Sequence, residues 1–150
     1  MHSKFGSLTK FIDKIDAAES FGEWVIDKVN DGTPEHPIQT PWVDYSSLVD
    51  EFMRDFYQFS KAHPEYELTR YNEILAENNL KWGAEEMSSA VTDSLNEQCI
   101  LAMIMGAIRA DRFCEGALLS FFKDGCISKW LKRLKDVDLA GYRQEPFKFS

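Results

Sequence analysis

Residues 99–126 read Cys-Ile-Leu-Ala-Met-Ile-Met-Gly-Ala-Ile-Arg-Ala-Asp-Arg-Phe-Cys-Glu-Gly-Ala-Leu-Leu-Ser-Phe-Phe-Lys-Asp-Gly-Cys. The run from Cys99 to Ile108 is almost unbroken apolar sequence, half of the roughly 20 residues that a membrane span needs. It therefore predicts a helix surrounded by a protein core. Four charges follow at once: Arg109, Asp111, Arg112 and Glu115. Charges inside an apolar stripe are costly to bury unless they are paired. Projected at about 100° per residue, Leu101, Ile104, Ile108, Asp111, Glu115, Leu119 and Phe122 share one stripe. One helix running through Gly116 is expected, with both carboxylates on its core side.

Three readings of the cluster follow, the last being an exposed protein-binding surface. In the favoured one, Arg109, Asp111, Arg112 and Glu115 form a buried ion-pair network that fixes packing register, because such networks are the commoner source of charge clusters. In the alternative, Arg109 and Arg112 clamp a small anion, with Trp24 and Trp42 as further ligand contacts. Asp111 or Glu115 then serves as a catalytic base.

Working outward, Ser7 is placed to cap a first helix carrying Leu8, Phe11, Ile12 and Ile15, which Gly22 ends. Phe21–Val29 and Ile38–Tyr45 read as two short strands around Asn30-Asp31-Gly32-Thr33-Pro34, anchored to the helices by Trp24 and Trp42. A second helix runs from Ser46 or Ser47 to Ala62 and stops at His63-Pro64. A third spans about Leu68 to Asn78, and residues 80–93 form a loop with one helical turn around Glu85–Ala90. Ser94-Leu95-Asn96-Glu97 has the capping-box pattern before the central helix. Gly125 is a natural stop, and Ile127–Val137 forms a last amphipathic helix, followed by an aromatic tail to Ser150. The expected fold is mainly α: one compact multi-helix domain over residues 1–150, core about 7–136, with a two-stranded ribbon near residues 21–45.

Composition narrows the function. The chain has 17 Lys and Arg against 25 Asp and Glu, a net charge of −8, which disfavours nucleic acid and anionic membranes. Residues 1–75 carry 7 basic and 14 acidic side chains, so a charged partner of that half would be basic. Lys123, Lys129, Lys132, Arg133 and Lys135 make the last helix locally basic; lysine stems lying over apolar surface explain that pattern better than phosphate contacts. Cys99, Cys114 and Cys126 read as reduced core thiols, with Cys114 weighed and set aside as a nucleophile. There is no CxxC pair, and the histidines lie in loops, so no metal or cofactor is expected. A divalent ion would need several oxygen ligands converging from separate segments, for instance Asp44, Asp50 and Asp111, and nothing in the spacing demands that. Phosphate-loop, dinucleotide and hydrolase motifs are missing.

Arg109-Ala110-Asp111-Arg112-Phe113-Cys114-Glu115-Gly116, then Ala117-Leu118, Gly125-Cys126-Ile127 and Leu131-Lys132-Arg133-Leu134, resembles the signature of a prokaryotic family catalogued as domain of unknown function 6508. Phe21-Gly22-Glu23-Trp24 and Trp42-Val43-Asp44-Tyr45 resemble its ribbon. The resemblance covers roughly residues 8–135. It implies a small intracellular prokaryotic protein and supplies no activity; a bacterial protein of the cytoplasm is expected. The expected function is contact with a protein partner or a second copy; the alternative is a small enzyme or anion binder.

Overall fold

A computed structural model describes residues 4–26, 28–38 and 41–144 of the chain. The fold is mainly α with one two-stranded antiparallel ribbon, as expected. In chain order the elements are α1 (Gly6–Thr9), α2 (Ile12–Ala17), β1 (Gly22–Val25), β2 (Trp42–Tyr45), α3 (Ser47–Ala62), α4 (Tyr71–Glu77), α5 (Ala84–Ser89), α6 (Glu97–Ala110), α7 (Ala117–Lys123) and α8 (Cys126–Gln144). Short 3-10 turns at Pro64–Tyr66 and Leu68–Arg70 join α3 to α4.

Every residue of α6 from Cys99 to Ile108 is buried, so the apolar run is the axis of the core. Helices α4, α7 and α8 pack around it. Helix α3 contributes Val49, Phe52, Phe56 and Phe59 at helical spacing, with Phe52 edge-on to Phe11 and Phe122. Leu8, Phe11, Ile12 and Ile15 are all buried, as their period requires. They belong to two short helices rather than one, however, and Ser7 lies inside α1 while Phe5 holds the cap position. Asp138 of α8 secures this end by accepting the Lys4 and Phe5 backbone N–H groups, both at 3.1 Å.

Ser46 caps α3 through the Val49 N–H, and His63 ends it, as the sequence predicts. The third helix starts later than expected because Glu67 takes a left-handed backbone (φ +51°) and the chain tightens into a 3-10 turn before Tyr71. The cap of α6 is Asn96, which accepts the Cys99 N–H at 2.9 Å, rather than Ser94. With Asn96 as the cap, Glu97 is the first helical residue instead of the third that a capping box needs, and its carboxylate accepts the Tyr66 hydroxyl at 2.6 Å. Helix α8 runs to Gln144, past the predicted end at Val137, so most of the expected tail is helical. Residues 145–150, with Phe147 and Phe149, lie outside the described residues. Among the described residues no helix is long and apolar enough to cross a membrane.

Candidate functional site

The expected single helix from 99 to 122 is broken. Helix α6 stops at Ala110, and the Phe113 and Cys114 N–H groups both turn back to the Ala110 carbonyl, at 3.0 and 2.9 Å. Gly116 then adopts φ +86°, which strains any residue with a Cβ. A Cβ there would also lie 2.4 Å from Cζ2 of Trp24, whose indole covers the turn. Glycine is thus required by its backbone and by its neighbour.

The break redirects both carboxylates. Asp111 Oδ1 accepts the Tyr45 hydroxyl at 2.7 Å, the Gly116 N–H at 3.1 Å and the Leu118 N–H at 3.2 Å. The Tyr45 hydroxyl oxygen in turn accepts the Leu119 N–H at 3.1 Å. The first turn of α7, whose N–H groups have no partners inside the helix, is therefore capped by a carboxylate and a phenol. A negative charge there also meets the positive end of the helix dipole. Burial, and then the hydrogen bond and charge of Asp111, push the Tyr45 phenol far above its ordinary range. Glu115 Oε1 accepts the Val43 N–H at 3.1 Å and so covers the outer edge of β2.

The buried ion-pair network expected here is thus replaced. Among the described residues no salt bridge involves Arg109, Asp111, Arg112 or Glu115. The carboxylates bind N–H and O–H donors, Arg112 is exposed, and the Arg109 guanidinium lies 5.9 Å from the Tyr57 ring centre with its Nε buried and unpartnered. The expected stripe from Leu101 to Phe122 needs one continuous helix face, and that face ends at Ala110. Asp111 and Glu115 serve the ribbon instead of converging with the arginines. Tyr45 and Tyr57, which sequence reasoning left out of the site, are the side chains that meet the cluster. Tyr45 carried a signal, since it closes the Trp42–Tyr45 segment already singled out.

The ribbon pairs Gly22 with Tyr45, Glu23 with Asp44, Trp24 with Val43 and Val25 with Trp42. Trp24 and Val43 face the turn, whereas Trp42 shares the outer face with Glu23 and Asp44. Trp24 therefore anchors the ribbon to the turn, on the face opposite Trp42. Exposed apolar surface concentrates here: Trp24 is 48% exposed, Ile26 61%, Val29 92%, Ile38 57% and Trp42 38%. Phe113, at the tip of the turn, is 75% exposed and stacks edge-on to Trp82 with centroids 5.4 Å apart.

The basic face of α8 has other work. Lys129 donates to the Ala90 carbonyl at 3.0 Å, and Arg133 donates twice to the Leu95 carbonyl at 3.2 and 3.1 Å. Lys132 pairs with Asp16 at 3.0 Å, and Ser128 donates to the same carboxylate at 2.5 Å. These two contacts hold the Asp16 carboxyl below its usual range. A polar cleft of about 430 Å³ lies among these side chains. Cys99 and Cys126 are buried as expected, burial pushing the Cys99 thiol up to about 11, but Cys114 is exposed because the turn carries it outward. Among the described residues no three His, Cys, Asp or Glu side chains are placed to share a metal ion.

The model of a family described as a family of unknown function (DUF6508) matches residues 1–138. The chain belongs to this family. No curated protein and no solved structure matches it. The DUF6508 match takes in the ribbon, the 111–116 turn and Asp138, whose carboxylate holds the N-terminal segment. The whole of the Tyr45–Asp111–Glu115 arrangement thus lies within the family's extent.

Proposed function

We propose that this DUF6508 chain is a protein-interaction module, acting as one folded unit, that presents its ribbon to a basic segment of a partner protein. The observation that carries this reading is the concentration of Trp24, Ile26, Val29, Ile38 and Trp42 at the surface of one ribbon and its loop. The charge of the same stretch adds the sign. Residues 19–45 hold six acids, Glu19, Glu23, Asp27, Asp31, Glu35 and Asp44, against the single lysine Lys28. Like charges of that density disfavour a second copy and favour a basic partner. The turn beneath supplies rigidity, since Glu115 and Tyr45 pin β2 from one side. An intracellular prokaryotic setting, implied by the family resemblance, and more narrowly the cytoplasm of a bacterium, goes with this reading.

The test is a triple variant, Ile26→Ser, Ile38→Ser and Trp42→Ser, compared with wild type by cross-linking in cells and by sedimentation. Loss of one wild-type cross-linked partner with an unchanged melting temperature is expected, and both chains should sediment as monomers. Partner cross-links that survive the triple variant would refute the reading, and a wild-type dimer abolished by it would replace the partner by a second copy.

A further inference from the structure

The two edges of the ribbon are not equivalent. The Ser46 N–H donates to the Phe21 carbonyl at 2.9 Å, which makes Phe21 and Ser46 a hydrogen-bonded pair in the same register as the strands. Antiparallel pairs alternate, so Glu23 with Asp44 and Val25 with Trp42 are also hydrogen-bonded pairs, and Trp24 with Val43 is not. The backbone groups of Trp24 and Val43 therefore point outward, on opposite edges. At Val43 the outward N–H is taken by Glu115. At β1, Gly22 is closed by the Ser20 hydroxyl, which accepts its N–H at 3.3 Å and donates to its carbonyl at 3.2 Å. Trp24, one pleat further along, has no backbone partner among the described residues. The fold closes one edge with a carboxylate, blocks the start of the other, and leaves the middle of β1 open.

We infer that the open edge of β1 receives an extended basic segment of the partner protein as a third strand, paired through the Trp24 N–H and carbonyl. This rests on the docking reading above and names its mode. Strand addition takes affinity from main-chain hydrogen bonds and specificity from alternate side chains. On the outer face an added strand lies beside Glu23, with Asp44 one strand further, which calls for Lys or Arg. On the other face it lies beside the half-exposed Trp24 indole, which calls for an apolar residue. The fitting segment alternates basic and apolar residues. A second copy of this chain does not fit, because pairing β1 with β1 sets Glu23 near its own copy.

The test uses the wild-type chain and three synthetic peptides in an NMR titration: a heptapeptide alternating Lys and Val, the same peptide with its valine backbone nitrogens methylated, and one alternating Glu and Val. Binding of the Lys–Val peptide should slow exchange of the Trp24 amide by at least about tenfold, with shifts centred on residues 22–26. The methylated peptide, lacking edge donors, should bind on the order of tenfold more weakly, and the Glu–Val peptide should not bind. Equal binding of the methylated peptide, with shifts at Trp42 and Ile38 and none at the Trp24 amide, overturns strand addition and leaves the docking reading standing. No binding by the Lys–Val peptide at millimolar concentration also overturns strand addition, while the cross-linking of the triple ribbon variant decides the docking reading separately.

Discussion

The indole of Trp24 lies against the backbone of Gly116, so close that a methyl group added to the glycine would meet Cζ2 at 2.4 Å. Ribbon and helix junction are joined by that contact, and Gly116 is also held at φ +86°. Gly116→Ala should therefore destabilise the chain by about 2–4 kcal/mol, from left-handed strain plus overpacking. For 150 residues that lowers the melting temperature by roughly 10 °C. Adding Trp24→Ala should recover the overpacking part and leave the backbone part. Thermal unfolding of the two single variants and the double variant measures this coupling, and strict additivity would contradict the contact.

Asp111 and Arg112 are neighbours with opposite consequences. Asp111→Ala strands the Gly116 and Leu118 N–H groups and the Tyr45 hydroxyl, and should cost about 2–4 kcal/mol. Tyr45→Phe should cost about 1 kcal/mol, and the pair should cost less than the sum because they share one network. Arg112→Ala, at an exposed position, should change stability by no more than about 0.5 kcal/mol. Chemical denaturation of the four proteins ranks them. A loss of about 3–5 kcal/mol for Arg112→Ala would restore the buried ion pair.

Stability should fall on the alkaline side. Cys99 is raised from 9.0 to about 11 by burial, and Tyr45 and Tyr66 are raised above 10.0 by burial and then by Asp111 and Glu97 respectively. The folded chain keeps these protons while the unfolded chain releases them, so the folded state is progressively disfavoured as pH rises. The contribution of Cys99 is complete below pH 9 and lost by about pH 11. Melting temperature against pH from 7 to 11 should decline from about pH 9, and Cys99→Ala should flatten the first part of that decline. Parallel curves would show that Cys99 does not titrate as its burial requires.

Cysteine chemistry separates the three thiols. Cys114 is exposed while Cys99 and Cys126 are buried. Iodoacetamide at pH 8 should modify Cys114 alone in the native chain and all three after unfolding. Mass spectrometry of the native reaction checks this, and rapid modification of Cys99 would contradict the packing of α6.

Much of the fold is legible in the sequence because its signals are local. The apolar run from Cys99 to Ile108, the Ser46 cap, the stop at His63-Pro64 and the period of Leu8, Phe11, Ile12 and Ile15 depend on neighbours within a turn or two. The strands at Trp42–Tyr45 and Gly22–Val25 are readable for the same reason. Even the octapeptide from Arg109 to Gly116 announces itself as unusual.

What those charges do was decided only in three dimensions. Asp111 finds the Tyr45 hydroxyl 66 positions away, and Glu115 finds the Val43 N–H 72 positions away. A helical projection assumes that residues 99–122 share one axis, and that assumption fails after Ala110, where the chain turns through Gly116 into α7. Sequence marks the charged segment and the ribbon separately. Their junction arises from folding, because a carboxylate binds whichever donors the tertiary structure brings to it, and here those are backbone N–H groups and a phenol instead of the arginines beside it in the chain.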